Sequence, residues 1–115
     1  MAFSTEQLRE IESILTLWLV NERPDEEIRD QLDIGYSIDK QDIFLEEIRP
    51  VWKKPKEIMR NAYAKLKYQK STNSWKIYWK RGNLQWELYK ADSTVASLEE
   101  ALEIIDEDSY GCFSG

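Results

Sequence analysis

Between residues 61 and 90 apolar and polar side chains alternate in three successive runs, and a period of two demands extended backbone. Ala62, Ala64, Leu66 and Tyr68 alternate with Tyr63, Lys65 and Lys67. Trp75, Ile77 and Trp79 alternate with Lys76, Tyr78 and Lys80, then Leu84, Trp86 and Leu88 with Gln85, Glu87 and Tyr89. Turn-forming residues part the runs, so antiparallel strands are predicted over about 61–69, 74–80 and 84–90. With Gly82-Asn83 as a two-residue turn, Trp79 falls opposite Trp86 and Ile77 opposite Leu88. The Lys70–Asn73 loop sets Tyr68 against Trp75, Leu66 against Ile77 and Ala64 against Trp79. Small faces large, as a packed layer requires. A slip of one residue would turn both tryptophans toward water.

The rest of the chain supplies the layer that covers this sheet. Ser4 and Gln7 have capping-box spacing ahead of Leu8, Ile11, Ile14, Leu15, Trp18 and Leu19, predicting a helix over about 4–20. Pro24 followed by Asp25, Glu26 and Glu27 reads as the start of a short second helix over about 24–31. The period then drops to two, predicting strands over about 32–39 and 42–49. Pro50 and Pro55 bracket a loop that holds Trp52. Ser97 and Glu100 open a last helix over about 98–107. The expected fold is α+β: an antiparallel sheet of about five strands with N-terminal helices and a C-terminal helix packed on one face. At 115 residues this is one domain, 1–115, with a helical part at 4–31 and the sheet and last helix at 32–115.

Composition removes several functions. There is no histidine and a single cysteine, Cys112, so histidine triads, histidine metal sites and disulfide frameworks are excluded. The acids of Asp106-Glu107-Asp108 lack the spacing of a calcium loop. No metal, cofactor or catalytic residue is expected, and the chain reads first as a non-enzymatic protein, with an enzyme built on acid or lysine chemistry as the third reading after a binding module and a homodimer. Cys112 reads as a half-buried apolar thiol, with Gly111 permitting a tight turn and Phe113 tucking the tail onto the core. The first residues lack the pattern of a signal peptide, and no apolar run approaches the ~20 residues of a membrane span. A cytoplasmic location is expected.

The net charge is −6, but the charges are segregated. Residues 51–81 hold ten basic groups against one acid, and the remainder is strongly acidic. In the proposed register the outer sheet face gathers Tyr63, Lys65, Lys67, Lys76, Tyr78, Lys80 and Tyr89. Lysines interleaved with flat rings suit an anionic partner, either single-stranded nucleic acid or an acidic protein surface. The same face is also open to self-association, for instance a homodimer in which another copy's acidic last helix covers it, or to plain solvation. The overall negative charge argues against binding long duplex nucleic acid. Trp52, beside three lysines, is a secondary contact candidate.

The Trp75–Trp79 run, Leu84–Tyr89, the helix start Ser97–Ala101 and the ending Gly111-Cys112-Phe113-Ser114-Gly115 resemble a small bacterial family of unknown function. The resemblance spans about residues 23–115 and rests on a tryptophan-rich double hairpin and a Gly-Cys-Phe-x-Gly terminus. It implies fold boundaries and no activity.

Overall fold

The computed structural model describes residues 3–108 and 111–113. Helix α1 (Thr5–Glu22) leads into strands β1 (Asp33–Asp39), β2 (Asp42–Val51), β3 (Lys54–Gln69), β4 (Ser74–Lys80) and β5 (Trp86–Leu88). A 3-10 turn at Lys90–Asp92, the short β6 (Thr94–Val95) and helix α2 (Leu98–Glu107) complete the order. The sheet is antiparallel, in the order β1-β2-β3-β4-β5, with β6 continuing beside β4 where β5 stops. Both helices cover one face. The core joins Ile11, Leu15 and Trp18 of α1 and Leu98, Ala101, Leu102 and Ile105 of α2 to Ile43, Leu45, Ala64, Leu66, Trp75 and Ile77 of the sheet. Its contribution is hydrophobic: Leu15, Ile43, Leu45, Leu66 and Ile77 are fully buried, each worth roughly 1.5–3 kcal/mol.

The predicted caps form. Ser4 Oγ accepts from the Gln7 amide while Gln7 Oε1 accepts from the Ser4 amide, and Ser97 Oγ accepts from the Glu100 amide. A two-pronged bond from Arg23 to Asp33 clips the end of α1 to the start of β1. The predicted helix over 24–31 does not form. That segment is a chain of turns, with the Ile28 amide bonded to the Asp25 carbonyl and the Gln31 amide to the Ile28 carbonyl. Ile28 is exposed, so there is no apolar stripe to dock, and an isolated turn or two does not sustain a helix.

The β3–β4 register is as the sequence predicts: Tyr68 faces Trp75, Leu66 faces Ile77, and Ala64 faces Trp79. The β4–β5 register is shifted by one. Tyr78 faces Leu88, Trp79 faces Glu87 and Lys80 faces Trp86. The cause is the turn. Arg81 donates its amide to the Gln85 carbonyl, so the loop is three residues, Gly82-Asn83-Leu84, with Leu84 at φ 65°. A turn closed by a left-handed residue is the standard three-residue hairpin. It displaces the partner strand by one position and turns Trp86 and Leu88 to the outer face. Leu84 itself is 76% exposed.

A leucine in the left-handed region costs about 1 kcal/mol, and here no burial offsets it. Leu84→Gly is therefore expected to raise the urea midpoint, by up to about 0.5 kcal/mol of stability after the ~0.4–1 kcal/mol entropy of the freer unfolded chain is subtracted. A lower midpoint would mean that Leu84 makes a contact worth more than its strain.

The loop predicted at 51–54 is tighter than expected. Val51 faces Lys54 across a two-residue turn, Trp52-Lys53, so β3 begins at Lys54 rather than near 61 and runs 16 residues.

Candidate functional site

Strand parity sorts the outer sheet face. Phe44 of β2, Lys65 and Lys67 of β3, Lys76, Tyr78 and Lys80 of β4, and Trp86 and Leu88 of β5 share the side away from the helices. Lys67 stands directly opposite Lys76, and Lys65 opposite Tyr78. Facing like charges cost a few tenths of a kcal/mol.

The lysines do not simply reach into solvent. Lys65 Nζ lies 5.4 Å from the Tyr78 ring centre and 5.9 Å from that of Phe44. Lys80 Nζ lies 5.1 Å over the Trp86 ring, and the Phe44 and Trp86 rings are 6.0 Å apart. Trp86 thus leans across the sheet from β5 toward β2. All of these residues except exposed Lys67 are half-buried. The nearby carboxylate of Glu46 is already engaged, accepting from Arg60 Nε at 3.0 Å and Ser37 Oγ at 3.1 Å. Asp39 and Asp42 close the far end of the face, at the β1–β2 turn.

Two expected members of the face lie elsewhere. Tyr63 sits at a β-bulge: Leu45 faces Ala64 while Glu46 faces Ala62, leaving Tyr63 unmatched and packed on the helix side. Tyr89 is buried in the core, with its ring 5.1 Å from Phe113, because the one-residue shift reverses every side chain of that strand. Thr94 takes the place opposite Lys76 that Tyr89 was expected to hold. In exchange the face gains Phe44 and Trp86. A parity count along 42–49 would have found Phe44, although its apolar neighbours Ile43 and Leu45 mask it. Trp86 was hidden by the turn.

Trp79 and Trp86 therefore stand on opposite surfaces. The lysines nevertheless stay together, since Lys65, Lys67, Lys76 and Lys80 depend on the β3–β4 pairing alone. Trp52 is 83% exposed at its turn, with Lys53 Nζ 4.8 Å over its ring.

A second cluster lies on the helix side. A cleft of about 320 Å³ is lined by Glu22, Ile34, Glu47, Arg49, Tyr63, Ile105, Asp106, Asp108 and Phe113. Trp18 Nε1 donates to both carboxylate oxygens of Asp106, at 3.1 and 3.2 Å. Burial, a hydrogen bond to Asp106 and the charge of Asp106 push the Glu22 carboxyl up to about 7. Burial first, then the negative charges of Glu22, Asp106 and Glu47, keeps the Tyr63 phenol neutral far above its usual range. Sequence periodicity held the signal for this cluster, since Glu22 follows Trp18 by one helical turn and so falls on the core stripe. The contact between Glu22 and Asp106 links the end of α1 to α2.

Cys112 is half-buried, and burial together with the charges of Asp108 and Glu87 raises its pKa, which suppresses the reactive thiolate. Phe113 is buried as expected, and Gly111 has φ 67°. Among the described residues, no group of three or more Cys, Asp or Glu side chains is placed to hold a metal ion, and no helix is long and apolar enough to cross a membrane.

A family model described as a domain of unknown function, DUF3024, matches residues 3–115. The chain belongs to the DUF3024 family. Neither a search of curated proteins nor one of solved structures finds a match to this DUF3024 chain.

Proposed function

We propose that this DUF3024 protein is a binding module whose outer sheet face holds an anionic partner, single-stranded nucleic acid being the class that fits best. The observation that carries this is the pairing of each half-buried ring on the face with a lysine: Lys65 with Phe44 and Tyr78, Lys80 with Trp86. A surface cation–π contact is worth about 0.5–1 kcal/mol. A base stacked on the same ring is worth about 1–3 kcal/mol and frees the ammonium for a phosphate. Exchange is favourable on both counts. The wider −6 charge limits this to short strands, because phosphates more than a Debye length of ~8 Å from the lysines meet acidic surface.

The test is fluorescence anisotropy with a labelled oligonucleotide of about ten nucleotides. Wild type is expected to bind with a salt-dependent slope. Trp86→Ala should lose roughly 5- to 150-fold in affinity, the equivalent of one stacked base. Lys65→Glu with Lys80→Glu should abolish binding. An unchanged affinity in the charge-reversed variant removes the proposal. Salt-sensitive self-association, lost in that same variant with no oligonucleotide binding by wild type, would instead identify the partner of this face as another copy.

A further inference from the structure

The β2–β3 hairpin extends beyond the body of the domain as an arm. Residues 52–54 and 56–61 are all exposed, and the molecule measures 46 × 31 × 25 Å. Its radius of gyration of 14.5 Å exceeds the roughly 13 Å of a compact chain this long. The arm's surface is unlike that of a solvated hairpin. Trp52 is 83% exposed, Ile58 70% and Met59 41%, beside Lys53, Lys54 and Lys56. At the base of the arm a groove of about 300 Å³ runs between Ile48, Pro50, Lys56 and Ile58 of the hairpin and Arg29-Asp30. Exposed aliphatic residues of this kind suit a protein partner better than a nucleic acid.

The chain carries a surface of the opposite sign with the same apolar content. Leu17 and Val20, 71% and 73% exposed, lie on the last turns of α1, on the side away from the sheet. The turns that follow expose Ile28 together with Asp25, Glu26, Glu27 and Asp30. The exposed apolar end of α1 leads into an acidic stretch, Asp25–Asp30 with Arg29 its one base, which matches the apolar residues in a basic setting on the arm.

We propose that the arm docks on the α1 end and the 24–31 turns of a second copy, and that the second copy's arm docks back, closing a twofold dimer. The contact is reciprocal, so each copy buries both patches. Tip-to-tip pairing of arms is disfavoured, since it would bring the lysine trios of both copies together. This dimer leaves the Lys65–Trp86 face free and does not depend on what that face binds.

Sedimentation velocity on the full chain tests it, over about 1–100 μM and at two salt concentrations. Wild type is expected to reach twice 13.7 kDa, with the midpoint rising at least about tenfold at high salt. Trp52→Ala with Ile58→Ser should give monomer with an unchanged circular dichroism spectrum, because both residues are exposed. Lys53→Glu, Lys54→Glu and Lys56→Glu together should also give monomer, as should Asp25→Lys, Glu26→Lys and Glu27→Lys together. Mixing these two charge-reversed chains should restore a dimer of one each. A wild type that stays monomeric throughout the range overturns the proposal. A dimer indifferent to the arm variants but lost on Lys65→Glu with Lys80→Glu also overturns it and assigns the contact to the sheet face. Arm variants that weaken oligonucleotide binding without changing mass would overturn it in favour of nucleic acid at the arm.

Discussion

Tyr89→Ala is expected to cost about 3–4 kcal/mol of stability, whereas Trp86→Ala, three residues earlier, should cost about 1 kcal/mol. The contrast follows from the three-residue turn. Tyr89 is 4% exposed, its ring against Phe113 and its amide bonded to the carbonyl of Ile77 in the middle of β4, so its removal leaves a cavity. Trp86 is half-buried on the open face, where solvent replaces much of what the ring gives up. Against a total stability of about 5–15 kcal/mol, the first loss is a large fraction and the second is minor. In urea, with m near 1–2 kcal/mol/M for a domain of this size, the Tyr89 variant should shift its midpoint by roughly 2 M at unchanged slope. If the two variants ranked in reverse, Gly82-Asn83 would be a two-residue turn after all, and the ring stacked beside Lys80 would be a core residue.

The same residue pair marks how far the sequence can be read. Alternation determines that a strand has two faces but leaves open which face is which when both carry rings. For β4 the choice was clear, because Ile77 and its neighbours oppose three charged or hydroxylated residues. The partner β3 was then set by packing small against large. In β5 the odd and even positions, Trp86 and Leu88 against Glu87 and Tyr89, each include one amphipathic or aromatic ring. The choice fell to the turn, where a left-handed leucine stood in a position that glycine usually signals. Tyr63 was misplaced for a related reason: a β-bulge inserts one residue without any marker in the chain. The acids after Pro24 have the composition of a helix start, yet a helix also needs a buried stripe, and Ile28 does not supply one. The lysines and Tyr78 were legible because they depend on β3 and β4 alone; Trp86 was not, because its face depends on one loop residue, and Phe44 was masked by its apolar neighbours.

Glu22→Gln is expected to make the folded state more stable at pH 8, by about 1 kcal/mol, and no more stable near pH 4. Glu22 is held protonated in the fold up to about 7, against an ordinary value of 4.5. Below pH 4.5 the carboxyl is protonated both folded and unfolded, and its favourable contribution is fully present. As pH rises between 4.5 and about 7 the unfolded chain releases its proton first, so stability drains away. Above about 7 both states are ionised, and the fold holds Glu22 and Asp106 together as like charges. Of the groups around Glu22, Asp106 favours the protonated form, by its hydrogen bond and its charge; Asp108, Glu47, Tyr63 and Arg49, the last bonded to Glu47, line the same cleft. Solvent reaches the pair, which is why the expected effect is ~1 kcal/mol rather than the larger figure a dry interior would give. Glutamine keeps a donor for Asp106 at every pH and removes the titration. Urea denaturation of both proteins from pH 4 to pH 8 should therefore give curves that converge at the acid end and separate through neutrality. Hydrogen exchange in the last turn of α1 should slow in the variant at pH 8, since Trp18 and Glu22 both anchor that turn to Asp106. Parallel curves over the whole range would mean that the two carboxyls do not share a proton and that α1 is held to α2 by the Trp18 bond and core packing alone.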